Sequence, residues 1–217
     1  MKRTKEFLHL LMLVSMLLLV GCGDSYYELD NERIYPLYEE IVAIEVGESI
    51  DVVVDSTLAK EELLVFSNKD DFSSFELKVE NGRLSLSETP TFFTKVYKVY
   101  VPAFNLEALT LSGGSGLLWD GCAVDRLTVT LSGGSDCEVA GHCNTLAVVA
   151  SGGSDADLED LLAGDVSVTA SGGSDVSVHA TRTISLSASG GSDVSITGTP
   201  QILRWDVSDG SDVEMNK

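Results

Sequence analysis

A short motif returns at a nearly constant spacing through the second half of the chain, and it limits the possible folds more than any other feature. Ser-Gly-Gly-Ser occurs five times and Ser-Asp-Gly-Ser once, with starts at Ser112, Ser132, Ser151, Ser171, Ser189 and Ser208. The starts are 18 to 20 residues apart. Repetition at such a period is typical of solenoids, in which each coil buries its apolar face only by stacking on its neighbours.

The segments on either side of each motif alternate between apolar and polar residues. Around the fifth motif one parity continues through the glycines, as Ile184, Leu186, Ala188, Gly190, Ser192, Val194 and Ile196. The alternation predicts strands, and the small residues in the middle predict a corner with little room on its inner side. We therefore expect an all-β fold in which residues 106–217 form a β-solenoid of six coils, about 4.8 Å apart.

The last serine of each motif lies on the inward parity, as Ser115, Ser135, Ser154, Ser174, Ser192 and Ser211. A buried hydroxyl without a partner costs roughly 1–3 kcal/mol. We therefore expect each of these hydroxyls to bond the next coil or a backbone group of its own corner.

Residues 41–105 are predicted to form an N-terminal β region. The dipeptide Asn81-Gly82 is a strong signal for a two-residue hairpin turn, which would place Val79 opposite Leu84. The pattern leaves open whether this region continues the stack or caps its first coil. At the other end capping looks minimal, and we expect acidic residues to protect the last edge from further pairing.

The first 21 residues are predicted to be a lipoprotein signal peptide. Three of the first five residues are basic, and the apolar run over 8–20 is too short for a comfortable membrane span. The run ends in Leu19-Val20-Gly21-Cys22, which resembles a bacterial lipobox, so Cys22 is the predicted lipid-attachment residue. The alternative is an ordinary signal peptide. Residues 22–40 are predicted to be a tether whose tyrosines pack onto the first strands.

The charge balance excludes some partners. The chain has 14 Lys and Arg against 34 Asp and Glu, a net charge of −20. Nucleic acid is therefore not an expected partner, since phosphate binding needs a basic face. Anionic lipid would not attract so acidic a chain by charge either. Contact with the membrane is expected through the lipid on Cys22 alone, with the folded part held in water.

An aspartate follows five of the six motifs, as Asp136, Asp155, Asp175, Asp193 and Asp212. These side chains would form an outward ladder. Two roles are open for them: calcium binding, because hard oxygen ligands suit that ion, and capping of the corner through backbone N–H groups. A uniform ladder does not supply the unequal pair of carboxyls that glycoside hydrolysis needs. We therefore expect no catalytic residues, no resident metal and no required cofactor.

Three cysteines lie within the predicted coils. Cys137 falls in an inward apolar column and is expected to be a small core residue. Cys122 and Cys143 fall near equivalent places on successive coils, so a disulfide between them is predicted for an oxidising compartment. Zinc is the other reading, although the spacing matches no familiar site.

Hydroxyl residues dominate the outward positions of the strands that precede each corner. One column holds Thr110, Thr130, Thr169 and Ser187, and another holds Thr128, Ser167 and Ser185. This pattern predicts a flat, weakly charged surface, which is either simple solvated strand or a platform for a glycan or a protein.

The order of these features resembles one bacterial family, the "putative auto-transporter adhesin, head GIN domain" family. The matching features are the strand Val99-Tyr100-Val101-Pro102, the segment 106–111 and the repeated Ser-Gly-Gly-Ser-Asp corners. The resemblance covers residues 41–217 and implies a right-handed β-helix-like fold in an envelope protein. It carries no catalytic residues.

The sequence therefore predicts a non-enzymatic, lipid-anchored protein of a Gram-negative cell envelope, an outer-membrane lipoprotein that acts as an adhesin or surface-binding module. It leaves the protein either surface-exposed or facing the periplasm. The alternatives are a periplasmic structural or assembly lipoprotein and a glycan-active β-helix enzyme.

Overall fold

The structure, a computed structural model, describes residues 29–89 and 95–216. The predicted signal peptide and Cys22 lie outside these residues. Within the described ranges there is no helix, and so none that is long and apolar enough to cross a membrane. The all-β prediction is confirmed.

The described residues form fifteen strands, which we number in chain order. They are β1 (Asn31–Pro36), β2 (Ala43–Val46), β3 (Ile50–Asp55), β4 (Glu62–Ser67), β5 (Phe75–Glu80), β6 (Arg83–Glu88), β7 (Tyr97–Pro102), β8 (Ala108–Ser112), β9 (Gly116–Ser132), β10 (Asp136–Ser151), β11 (Asp155–Ser171), β12 (Asp175–Ser189), β13 (Asp193–Thr197), β14 (Gln201–Val207) and β15 (Asp212–Asn216).

The strands stack as a β-solenoid with two faces. On one face, sheet 1, the order is β5, β6, β2, β8, the second halves of β9 to β12, and β14. On the other face, sheet 2, the order is β1, β4, β7, β3, the first halves of β9 to β12, β13 and β15. The Ser-Gly-Gly-Ser corners join sheet 1 to sheet 2 along one side of the solenoid. Each repeat of the motif therefore corresponds to one coil, as predicted.

The first layers do not stack in chain order. The layer made of β2 and β3 lies between the layer made of β6 and β7 and the layer made of β8 and the start of β9. After β3 the chain therefore forms the cap and the layer of β6 and β7 on the N-terminal side of β2 and β3. It then passes to the layer of β8 and β9 on their other side. The sequence pattern showed strands here, but it carried no signal for this order.

Antiparallel strands close the N-terminal end of the stack. β4 pairs with β7, β1 pairs with β4, and β5 pairs with β6, all antiparallel. The hairpin prediction is confirmed, since Val79 pairs with Leu84. The region before the repeats thus does both things that the sequence left open: it continues the stack and it caps it.

The predicted tether is too long at its C-terminal end. Residues 31–36 form β1, and Tyr35 packs against Phe75 with ring centroids 6.0 Å apart. Backbone pairing with β4 outweighs the polar composition that indicated a tether. Tyr35 packs onto the strands as expected, whereas Tyr38 is 92% exposed.

One hydrophobic core runs from the cap through the stack. Its inward columns are almost fully buried, as Leu127, Leu146 and Val166 show on successive layers. The largest buried side chains are Trp119 and Tyr97, both toward the capped end of the stack. Small inward residues such as Ala150 and Ala170 stand next to the corners, where the two sheets meet.

The corners depend on glycine because of both backbone angle and space. Gly190 and Gly191 have φ of 68° and 72°, the left-handed region that other residues avoid. A Cβ on Gly190 would also lie 3.0 Å from the backbone nitrogen of Gly172 in the preceding layer. The layers therefore approach too closely at this point for a side chain.

The inward serines form the predicted ladder of bonded hydroxyls. The Ser174 hydroxyl donates to the Ala150 carbonyl of the layer below, at 3.2 Å, and accepts from the Ser171 amide of its own corner. Ser135, Ser154 and Ser192 make comparable bonds. The exception is Ser115, whose buried hydroxyl has no partner within the described residues.

The serine ladder supplies a matched pair of stability tests. Ser174→Ala should lower the free energy of unfolding by about 1–3 kcal/mol, because a buried amide and a buried carbonyl lose a partner. Ser115→Ala should have no effect or raise stability, because its hydroxyl is buried unpaired. Chemical denaturation of both variants measures the difference. Equal losses would contradict the hydrogen-bond assignment.

Candidate functional site

The five predicted aspartates stand in one column on the outside of sheet 2. Asp136 pairs with Asp155, Asp155 with Asp175, and Asp175 with Asp193, which pairs with Asp212. Neighbouring Cα atoms in such a column are about 4.8 Å apart. A second outward column holds Glu138 beside Asp157. Sheet 2 therefore presents a strongly acidic face.

The aspartates do not cap the corners. Within the described residues none of the five carboxylates accepts a hydrogen bond, and it is their backbone amides that bond the layer below, as Asp175 N–H does with the Ser154 carbonyl. The turn-capping prediction is therefore wrong, because the outward parity carries the carboxylates away from the corner. Among the described residues no three carboxylate, histidine or cysteine side chains are grouped closely enough to hold a metal ion.

The ladder raises the pKa of its central member. Partial burial between neighbours raises the pKa of Asp175, and the charges of Asp155 and Asp193 raise it further. Asp165, on sheet 1, shows the opposite behaviour. Its pKa is lowered because the Arg182 guanidinium donates to it at 2.7 Å and the Thr183 hydroxyl donates at 2.8 Å.

The structure adds Asp51 to the aspartate column, which the sequence analysis missed. Asp51 pairs with Gly116, and Gly116 pairs with Asp136, so Asp51 occupies the same column one layer further down. The sequence carried no local signal for this position, since the corner at Gly47 to Ser49 lacks the repeated motif. A Cβ on Gly116 would lie 2.8 Å from the Asp51 carboxylate, so a larger residue here would displace this carboxylate.

A shallow groove of about 330 Å³ opens where Gly116 interrupts the column. Its rim includes Asp51, Asp136 and Lys98. Burial raises the pKa of Asp51, against the opposing effects of Lys98 and of the Gly116 amide. Burial likewise raises the pKa of Asp136 and lowers the pKa of Lys98.

Burial acts alike on the two carboxyls of the groove. Glycoside hydrolysis needs one protonated carboxyl beside one that stays ionised, and so two carboxyls with unequal pKa values. Burial raises the pKa of both Asp51 and Asp136. The described groove is thus a charged surface feature in which burial does not set its two carboxyls apart.

The disulfide predicted between Cys122 and Cys143 is not formed. All cysteines of the described residues are free thiols, and Cys122 pairs with Gly141, two residues before Cys143. On a straight ladder this offset separates the two Cα atoms by about 8 Å, beyond the span of a disulfide. Burial raises the pKa of Cys122 to about 12 and that of Cys143 to about 11, so both thiols stay protonated. Cys137 is buried in the core as expected.

Sheet 1 presents a very different surface, which we call the hydroxyl face. Three outward columns cross five layers, from β8 to the second half of β12, and none of their fifteen residues is charged. They are Ala108, Thr110, Ser112, Thr128, Thr130, Ser132, Ala147, Val149, Ser151, Ser167, Thr169, Ser171, Ser185, Ser187 and Ser189. The two predicted columns are in register, with Ala147 and Val149 completing them.

Comparison with known proteins agrees with this architecture. The sequence profile of the "putative auto-transporter adhesin, head GIN domain" family matches residues 40–200. The chain belongs to this family. A search of the curated proteins found no match.

Solved structures share the fold at low sequence identity. A "putative adhesin" from Bacteroides fragilis aligns with a TM-score of 0.65 and 19% identity, covering 85% of this chain and 96% of that one. A "putative adhesin" from Parabacteroides distasonis aligns with a TM-score of 0.54 and 12% identity, covering 86% and 98%. A "putative lipid binding protein" from the same species has a TM-score of 0.47 and 16% identity, with 87% and 98% covered.

Two substitutions test the electrostatics of the two faces. A carboxyl whose pKa is raised by folding destabilises the fold in full above its raised pKa, and the effect vanishes as the pH falls below its unfolded pKa. Asp175→Asn should therefore raise the melting temperature at pH 7 and leave it unchanged near pH 3. Asp165→Asn should lower it at pH 7, because a carboxyl with a lowered pKa stabilises the fold above its unfolded pKa. Thermal melts across this pH range check both signs, and equal signs would contradict the assignment.

Proposed function

We propose that this protein is a non-enzymatic, lipid-anchored binding module of the bacterial cell envelope, and that the hydroxyl face is its binding surface. The observation that carries the proposal is the distribution of charge. The chain has a net charge of −20, yet the fifteen outward positions of the hydroxyl face hold no charged residue. On the opposite sheet, by contrast, the positions that follow each corner carry the aspartate column.

This distribution determines what can approach the protein. Cell-surface polymers are commonly anionic, and an acidic face repels them within about 8–10 Å at physiological salt. The hydroxyl face offers no such repulsion at its centre. A glycan, or a protein that presents a flat polar surface, therefore meets no charge repulsion at the centre of this side of the solenoid.

Most hydroxyl groups of this face are free to bind, whereas those of Ser112 and Ser151 donate to backbone carbonyls. Within the described residues the side chains of Thr130, Thr169 and Ser187 make no hydrogen bond, and neither do those of Thr110, Thr128, Ser167 and Ser185. Each hydroxyl can both donate and accept, which suits the hydroxyls of a sugar. The five layers span about 19 Å, and the core beneath them is packed, so the face is already flat before a ligand arrives. Little ordering cost then opposes binding.

The family supports the same reading. Members bear the description of an adhesin head domain, and the solved structures from Bacteroides fragilis and Parabacteroides distasonis carry adhesin names. A binding role needs no catalytic residues, in keeping with a groove whose two carboxyls are shifted alike. A broad screen for carbohydrate hydrolysis tests the enzymatic alternative, and turnover would overturn the proposal.

Substitution at the centre of the face tests the binding site. Thr169→Lys and Thr169→Asp should each weaken binding to a panel of glycans and matrix proteins by about tenfold or more, because a long or charged side chain breaks the flat surface. Ser177→Lys is the matched control, since it adds the same charge on sheet 2. Equal loss in the control, or no binding by the parent chain to any member of the panel, would contradict the assignment.

The lipid anchor is tested at Cys22. In a Gram-negative host the parent chain should incorporate a radiolabelled fatty acid and fractionate with membranes, and Cys22→Ser should abolish both. Incorporation that survives the substitution would contradict the role of Cys22.

Protease treatment of intact cells then distinguishes an adhesin from a periplasmic assembly protein. Because β1 begins at Asn31 and is paired with β4, cleavage is expected before that residue. Release of the folded part from intact cells supports the surface role. Protection until the cells are lysed would overturn it and favour the periplasmic role.

A further inference from the structure

The two ends of the solenoid differ in a way that the proposed binding role does not explain. The N-terminal end is closed by antiparallel strands. At the C-terminal end β14 and β15 each have a neighbour on one side only within the described residues. Their inward side chains form an open apolar end, consisting of Ile202, Trp205, Val207, Val213 and Met215.

The open end is a cross-section of the core. Trp205 is 41% exposed, whereas Leu186, which it pairs with one layer below, is 1% exposed. Met215 is 40% exposed, and its pairing partner Ile196 is 0% exposed. Two unpaired strand edges therefore flank a patch of core residues. Edges of this kind are normally covered, because they otherwise template further pairing.

The charged residues on the free edge of β14 favour one orientation of a second strand that pairs with it. Arg204 and Asp206 both point outward from β14 and are joined by an ion pair of 3.1 Å. If a second β14 runs antiparallel about a two-fold axis at Trp205, Arg204 faces Asp206 of the second copy, twice. Trp205 then meets its own copy.

The far end of the molecule does not offer this match. The outermost strand of sheet 1 there is β5, whose alternate residues Glu76 and Lys78 form an exposed ion pair of 3.5 Å. The apolar columns beneath it are buried by the cap, as Leu84 is 0% exposed. Apolar surface can thus meet apolar surface only when two open ends face each other. The resulting contact is isologous and closes as a dimer.

We propose that the open C-terminal end binds the open end of a second copy of this chain, tail to tail, with β14 pairing antiparallel to β14 and β15 to β15. Asp209 and Gly210 are the middle of the corner between β14 and β15. Trp205 lies four residues before Asp209 and Glu214 lies four residues after Gly210, so the two-fold axis that passes Trp205 on sheet 1 also passes Glu214 on sheet 2. Glu214 then faces its own copy. This single like-charge contact opposes the dimer, and it provides a test in the opposite direction.

Sedimentation of the purified full-length chain in detergent tests the proposal. The parent chain should be dimeric. Arg204→Asp and Asp206→Arg should each raise the dissociation constant by about tenfold or more, because each places like charges opposite one another. The double variant Arg204→Asp with Asp206→Arg should restore the parent value. Glu214→Gln should tighten the dimer. A monomeric parent chain, or a double variant no better than the singles, would overturn the proposal.

The matched control lies at the capped end. Glu76→Lys with Lys78→Glu reverses an exposed ion pair of the same spacing on an edge strand, and each of its single reversals should leave the dimer unchanged. Loss of the dimer in these single variants would place the interface at the wrong end and overturn the proposal. Melting curves confirm that every variant is folded.

A cysteine at the axis gives an independent readout. Trp205→Cys should form a disulfide-linked dimer on non-reducing gels, because the two copies of residue 205 meet there. The buried thiols of Cys122, Cys137 and Cys143 stay protonated at neutral pH and do not compete. If the Lys78→Cys variant formed the disulfide-linked dimer and the Trp205→Cys variant did not, the tail-to-tail geometry would be contradicted.

Discussion

The structure depends on parallel, in-register stacking at the Ser-Gly-Gly-Ser corner. Two left-handed glycines turn the chain where neighbouring layers are too close for a side chain, and the inward serine bonds the corner to itself or to the layer below. Once this corner is repeated, like residues lie above like residues. The buried columns, the aspartate column and the hydroxyl face are all consequences of that one register.

In-register stacking also separates the two outer surfaces. A side chain that points outward before the corner belongs to sheet 1, and one that points outward after it belongs to sheet 2. Because threonine and serine precede the corner and aspartate follows it, an acidic protein keeps the fifteen positions of the hydroxyl face without charge. The proposed tail-to-tail pairing would join two copies of sheet 1 edge to edge. The two hydroxyl faces would then lie on one surface, separated by the outward Arg204 and Asp206 of the two β14 strands.

The repeat half of the molecule is predictable from sequence, and the N-terminal half is only partly so. The parity of Ile184 through Ile196 gave the inward columns and the buried serines. No local sequence pattern indicates that β2 and β3 lie between layers formed by later strands. The stacking partners of a strand are set by packing against residues that are distant in the sequence. Asp51 was missed for the same reason, since its corner has Glu48 and Ser49 where the repeats have glycine. The predicted disulfide does not form, because Cys122 and Cys143 fall at equivalent places in the repeat but are offset by two residues in the register of β9 and β10.

The inserted layer of β2 and β3 divides the chain into parts that differ in modularity. Coils between β9 and β12 follow one another in space as in sequence, so one could be duplicated or lost and the remaining layers would still fit together. The first three layers are interlocked, and removal of any one would leave its neighbours without a matching surface. The order of the layers therefore allows the hydroxyl face to gain or lose a coil in the interior of the stack more easily than among its first three layers.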